Sequence, residues 1–354
     1  MATVDVTVMG AGVFGLACAY ACAQRGARVR VVEWSHPGAG ASGTPVGALS
    51  PHVPEAWDDK KAFQFESLVM APAFWAGVEQ LSGRATGYAR LGRFQPIADD
   101  AALDRAQARA AQARQHWRGL AEWRVVAAEA AGAFAPVSPS GFLIHDTLSA
   151  RIAPRAACSA LAAAIRALGG EVACGAAGPI EGRVIWATGY PGLAHLSAEL
   201  GHAVGSGVKG QAAILAHDAG AVPQLYAGGL LIVPHHDGTV AVGSTTEREF
   251  ADPWSTDARL DDVIERARAV CPALAQAEVI ERWAGVRPRA RSIAPMLGPW
   301  PGRPGHFVAN GGFKIGIGLA PMVGAVMADL VLEGRADGIP PGFRVEANLP
   351  PQRP

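Results

Sequence analysis

The sequence predicts an α/β fold in which a Rossmann-like domain holds a parallel sheet and a second domain is built on a mainly antiparallel β-sheet. Three observations point there. A hydrophobic strand runs into Gly10-Ala-Gly-Val-Phe-Gly15 and an Ala-rich helix. A second Ala-rich helix, near residue 160, again leads into a short strand. From Gly207 onward the pattern changes to strands joined by tight turns.

Val4 to Met9 reads as the first, buried strand. Gly10 then makes the tight turn, Gly12 lets backbone approach a pyrophosphate, and Gly15 permits close helix–strand packing. The helix runs from Val13 to Arg25 and stops at Gly26, and the next strand, Arg28 to Val32, ends in Glu33, 18 residues beyond Gly15. A carboxylate there accepts both ribose hydroxyls of an adenosine and repels a 2′-phosphate, which selects FAD or NAD over NADP. Val13, Phe14 and Trp34 flank these positions and join the candidate cofactor contacts.

The loop from Ser35 to Pro54 is rich in small residues that let backbone run beside a ligand, with Ala41, Ser42, Gly43, Gly47, Ala48 and Leu49 as candidates. Ala62 to Leu81 reads as a helix, Tyr88 to Ile97 as a strand, and Asp100 to Trp117 as a helix whose Arg105, Arg109 and Arg114 form a solvated face. Ala156 to Leu168 is helical and Glu171 to Cys174 a strand. Arg183 to Ala187 is another strand, and its exit through Thr188 and Gly189 is a second contact point for a flavin. Strands at Lys209 to Leu215, Leu230 to Pro234 and Thr239 to Ser244 form the second layer, the last two joined by the turn at His235 to Gly238, and the helix Asp257 to Val270 closes it. Trp283 to Pro288 returns to the nucleotide domain. His306 to Ala309 is its strand, Asn310 to Gly318 its glycine-rich loop, and Leu319 to Leu332 its last helix. The expected division is 1–84, 141–206 and 283–340 for a discontinuous FAD-binding domain, 85–140 and 207–282 for a substrate domain, and 341–354 for a Pro-rich, poorly ordered tail.

Composition narrows the function. Lys plus Arg and Asp plus Glu both number 31, for a formal net charge of zero, so no bulk attraction to nucleic acid or an anionic membrane exists. No stretch reads as a signal peptide or as a bilayer span, and a cytoplasmic protein is expected. Cys18, Cys22, Cys158, Cys174 and Cys271 show neither a CxxC nor a metal-ligand spacing, and no metal site is expected.

Three glycine-rich stretches, at 10–15, 38–47 and 311–318, each sit where a strand meets a helix or loop. NAD needs mainly the first. An extended FAD needs all three, and clustered N–H groups at the start of the last helix would stabilise negative charge on a reduced flavin. Gly312, Phe313, Lys314, Ile315, Gly316 and Ile317 are the candidates there.

On GAGVFG with Glu33, GASGTPVGALSP at 40–51, WATG at 186–189, LIVPHHDGTVAVGSTTE at 231–247, WAGVRP at 283–288 and NGGFKIGIGLAP at 310–321, the chain resembles the FAD-dependent D-amino acid oxidase family, most of all its glycine oxidase and sarcosine oxidase members. The resemblance runs nearly end to end. It implies a glutathione-reductase-like FAD domain, FAD held non-covalently, and oxidation of an amine or amino acid bearing a carboxylate, of the glycine, D-amino acid or N-methyl type, to the imine by hydride transfer to flavin N5. Oxygen is the expected acceptor. The alternatives are a dehydrogenase using another acceptor, or an FAD-binding module of low activity, with a homo-oligomer as an open option. By the same resemblance Arg287 binds the substrate carboxylate, for which a planar guanidinium suits bidentate pairing. Lys314 and His52 complete the candidate catalytic set with Leu231, which stands where glycine oxidases carry a tyrosine. Lys314 replaces a family arginine and Ser292 a family acid. Arg289 and Arg291 alternate with Arg287 and would suit a doubly anionic amine such as an aminophosphonate if they faced the substrate. Between Cys174 and Arg183 the family's small β-meander is trimmed.

Overall fold

A computed structural model of the chain describes residues 4–175 and 179–350. The first half contributes β1 (Val6–Met9), α1 (Val13–Gln24), β2 (Val29–Glu33), β3 (Ala48–Leu49), α2 (Asp59–Ser82), β4 (Arg93–Pro96), α3 (Asp100–His116), β5 (Trp123–Ala127), β6 (Phe142–Asp146), β7 (Ala150–Arg151) and α4 (Pro154–Ala167). There follow β8 (Glu171–Cys174), β9 (Arg183–Trp186), α5 (Gly189–Leu200), β10 (Gly205–Ala216), β11 (Gln224–Ala227), β12 (Leu230–Pro234), β13 (Thr239–Gly243) and α6 (Ala258–Val270). Last come β14 (Glu278–Ala290), β15 (Met296–Pro299), β16 (His306–Asn310) and α7 (Gly316–Ala328).

Two large sheets organise these elements. The first has the order β15-β16-β9-β1-β2-β8, parallel except for β15. Val6 and Val8 of β1 lie between Val29 and Val31 of β2 and Arg183 and Ile185 of β9, and both valines are fully buried. Helix α1 is apolar almost all round, so it cannot lie on a surface. It is enclosed instead, and Gly324 of α7 meets it so closely that a Cβ there would stand 2.7 Å from the Ala17 carbonyl oxygen. The second sheet has the order β14-β10-β13-β12-β11-β4-β6-β5, antiparallel but for β11 beside β4. A two-stranded ribbon, β3 with β7, completes the strands among the described residues.

Several expectations need correction. The stretch 283–290 does not return to the nucleotide layer: it lies in β14, hydrogen-bonded along β10 in the second sheet, and 142–146 joins that sheet as β6. The strand expected at 88–97 shrinks to Arg93–Pro96, because Gly92 adopts a positive φ and interrupts it. Strands β3, β5, β6, β7, β11 and β15 and helix α5 are additions. The described part of the tail packs on the body of the protein: Phe343 lies tilted against Phe63 with ring centres 4.8 Å apart, Val345 is buried, and Asn348 accepts a hydrogen bond from Ser292 N at 2.9 Å. Residues 351–354 lie outside the described residues, as do 176–178 within the trimmed segment. Finally, the helical stretch Gly316–Glu333 does have the length and mean hydropathy, 1.5, of a membrane span, yet most of it is buried inside the protein as core.

Candidate active site

The first sheet ends, on the side of its α1 turn, at a cavity of about 1400 Å³ that reaches across to the second sheet. Ordinary small-molecule pockets are roughly 300–1,000 Å³, so this one suits a dinucleotide and a substrate together. At its near end Gly10 has φ 102, and a Cβ there would stand 2.6 Å from the Ala187 carbonyl oxygen. Gly12 caps α1 without any side-chain hydrogen bond, leaving the helix N-terminus facing the cavity. A helix end of this kind favours a phosphate. Ser42 Oγ lies beside it, accepting from Val13 N at 2.9 Å. Glu33 lines the same end, with Oε2 accepting from Ala11 N at 2.8 Å and Oε1 from Ser35 N at 3.1 Å, which fixes the carboxylate. Trp34, 83% exposed, stands at the rim.

Val13, Phe14, Ala41, Ala48, Thr188 and Gly189 also line the cavity, as does every candidate from Gly312 to Ile317. Four expected contacts do not. A Cβ on Gly15 would fall 2.0 Å from Gly10 O, on Gly43 2.6 Å from Gly38 O, and on Gly47 1.9 Å from Ile152 O. These glycines serve close approach of chain to chain, and Leu49 is a fully buried residue of β3.

The far loop is held open by its own bonds. Asn310 Nδ2 donates to Gly189 O at 2.8 Å, Phe313 N donates to Pro288 O at 3.0 Å, and Phe313 itself sits at φ 46, a left-handed conformation rare outside glycine. Helix α7 then begins beyond Ile315 with no side-chain cap, a second helix N-terminus on the cavity.

Arg287 enters from β14. Its guanidinium lies over Gly210, where any Cβ would stand 2.0 Å from Nη2, and it donates to Ser244 Oγ and to Thr245 O. Among the described residues it has no carboxylate within ion-pair distance; Glu247 attracts it from beyond that range and is itself held by Arg259 at 2.7 Å. Burial pushes the Arg287 guanidinium down to about 10, and Glu247 opposes the shift. Lys314 donates to Thr246 Oγ1 at 3.0 Å and is lowered by burial and by the repulsion of Arg287. Two neighbouring cations thus share one end of the cavity. Such a place attracts an anion.

His52 also lines the cavity. Gln64 donates through Nε2 to Ser50 O at 2.9 Å and accepts His52 N at 2.8 Å, so its Oε1 is the acceptor and His52 Nδ1 must carry the proton. The neutral ring, favoured by burial, presents Nε2 as an acceptor. Leu231 lines the cavity opposite Tyr226 and Gly243. Arg289 and Arg291 instead border a separate shallow pocket with His202.

Sequence reasoning missed Tyr226, Arg93, Ser244 and Lys60, all of which line the cavity. A signal for Tyr226 existed. Gly228-Gly229, both at positive φ, is a two-residue hairpin turn that places Tyr226 directly across from Leu231.

A dinucleotide seat at one end and paired cations at the other, beneath an antiparallel sheet, are the arrangement of a flavin-dependent oxidoreductase with room for an anionic ligand. Comparison with known proteins agrees, and the chain belongs to the DAO family, described as FAD dependent oxidoreductase, whose model matches residues 5–330. Its cofactor is FAD. The glycine oxidase of Pseudomonas aeruginosa is 30% identical over 95% of this chain and 96% of its own, and that of Geobacillus kaustophilus is 27% identical over 92% of each. Among solved structures, iminodiacetate oxidase from a Chelativorans species superposes with a TM-score of 0.81 at 24% identity, covering 93% of this chain and 95% of that one. The L-amino acid deaminase of Proteus myxofaciens superposes with a TM-score of 0.81 at 18% identity, covering 98% and 94%, a likeness of fold.

Proposed function

We propose that the protein oxidises a small amine or amino acid bearing a carboxylate, of the glycine, D-amino acid or N-methyl type, to its imine, with oxygen taking up the electrons. The observation that carries this reading is Arg287, a cation facing the cofactor cavity without a carboxylate partner among the described residues. FAD supplies the hydride acceptor. In this reading the first strand-turn-helix and Glu33 hold its adenosine and pyrophosphate, and the loop from Gly312 to Ile317 holds its ring end. Arg287 pairs with the substrate carboxylate and thereby fixes the α-carbon, while Lys314 adds a second positive charge beside it. His52 Nε2 accepts a hydrogen bond from the amine and orients it, while the positive charges of Arg287 and Lys314 favour the neutral amine that oxidation requires. Leu231 keeps the centre of the pocket apolar and excludes water. The strands of the second sheet form the substrate domain.

An anaerobic screen for bleaching of the flavin absorption over glycine, N-methyl amino acids and D-amino acids tests the substrate class. Failure of every amine to bleach the flavin would refute it. Peroxide release in air tests the acceptor, since turnover with a dye and no peroxide would make the enzyme a dehydrogenase.

A further inference from the structure

Beyond Leu231, on the same face of the second sheet, the cavity has a second group of donors. Tyr226 of β11 is paired with Leu231, and Arg93 of β4 is paired with Gln224, two residues before Tyr226, so all three side chains share the cavity side. Arg93 is 6% exposed and donates from Nε to Oδ2 of the wholly buried Asp146 at 2.8 Å. Asp146 is fixed in turn by Ser149 N at 2.9 Å. The guanidinium lies 5.6 Å from the centre of the Tyr226 ring. Neither the Arg93 Nη atoms nor the Tyr226 hydroxyl has a hydrogen-bond partner among the described residues. A side chain held so rigidly, with unused donors turned to a ligand cavity, is a built recognition element.

We propose that Arg93 and Tyr226 form a subsite for a second carboxylate at the distal end of the substrate, opposite the end bound by Arg287. The proposal rests on the reading of Arg287 given above. Leu231 stands opposite Gly243 of β13 and Tyr226 of β11, so two inter-strand steps of about 4.8 Å put Tyr226 about 10 Å from the strand beside Ser244, where the Arg287 guanidinium ends, and the Arg93 guanidinium lies by the Tyr226 ring; this span suits an amino acid with a side chain of about three carbons. Leu231 lies between the two ends and suits a methylene chain. The favoured substrates are therefore acidic amines of glutamate length, and Arg289 and Arg291 take no part.

Non-reacting acids separate this proposal from the reading beneath it. Glutarate and butyrate lack the amine, and their binding to the FAD holoenzyme is read from perturbation of the flavin spectrum. Glutarate is expected to bind at least tenfold more tightly than butyrate. Tyr226→Phe, which removes only the hydroxyl, is expected to lower that ratio several-fold, and Arg93→Lys, which keeps the charge opposite Asp146 but not the fork, to lower it further. Equal binding of the two acids, or an unchanged ratio in Tyr226→Phe, would overturn the subsite. Failure of the underlying reading has a different signature: Arg287→Met would then bind butyrate as well as the unaltered enzyme does.

Discussion

Replacement of Arg287 by methionine should remove catalysis and leave the fold nearly as stable as before. Burial lowers the guanidinium from its ordinary value to about 10, which corresponds to about 3 kcal/mol against its charged form. Because the side chain keeps partial exposure to the cavity, about 2 kcal/mol is the fairer figure. Its hydrogen bonds to Ser244 and Thr245 offset this by roughly 1 kcal/mol each. Methionine preserves much of the aliphatic stem, so urea unfolding should change by no more than about 1 kcal/mol. The substrate loses two charge-assisted hydrogen bonds, together about 3–4 kcal/mol, so kcat/KM should fall by a factor of about 10² to 10³. Both quantities are measured on the same FAD-loaded preparation. A structural arginine would behave in the opposite way: loss of about 3 kcal/mol or more of stability with an unchanged KM would refute the reasoning.

Gly12→Ala should fold yet lose FAD, because a Cβ there would meet only Ser42 Oγ, at 3.3 Å, while its methyl enters the phosphate side of the cavity; flavin titration should show a Kd raised at least about tenfold, and unaltered affinity would argue against the pyrophosphate seat. Asp146→Ala leaves the buried Arg93 without its partner and should destabilise the protein by about 3–5 kcal/mol in urea, a value near zero meaning that the pair is not shielded from solvent. Burial lowers His52, His145 and His235 below 6.5, so the unfolded chain binds protons that the folded one resists. Their contribution to stability is complete above 6.5 and is lost as pH falls, so Tm should rise with pH between about 5 and 7; a flat profile would contradict their burial.

Much of this architecture was legible because local chemistry dictates it. The spacing from Gly10 to Glu33 requires a strand, a turn, a helix and a strand whatever surrounds them, and the loop Gly312–Ile317 announces a backbone-lined cavity. What escaped was decided by partners distant in sequence. Nothing within residues 283–290 says which sheet they join, and only β10, some 75 positions earlier in the chain, determines it. Gly43 and Gly47 were indistinguishable from ligand-facing glycines until Gly38 and Ile152 were seen against them. Arg93 gave no local sign of its role, because the carboxylate that orients it lies 53 residues away.

The order of the first sheet has a consequence for biogenesis. Its centre, β1 and β9, is complete once residue 186 has been made, but β16 and the loop before α7 emerge only after the entire second sheet. The cavity therefore has no far wall until about residue 318 has left the ribosome, and FAD cannot act as a template for the nascent amino-terminal half. Its stabilising effect, which grows with cofactor concentration, arrives only with the finished chain. Cells short of flavin should accordingly accumulate a protein that has folded its sheets but remains vulnerable to proteolysis at the last loop.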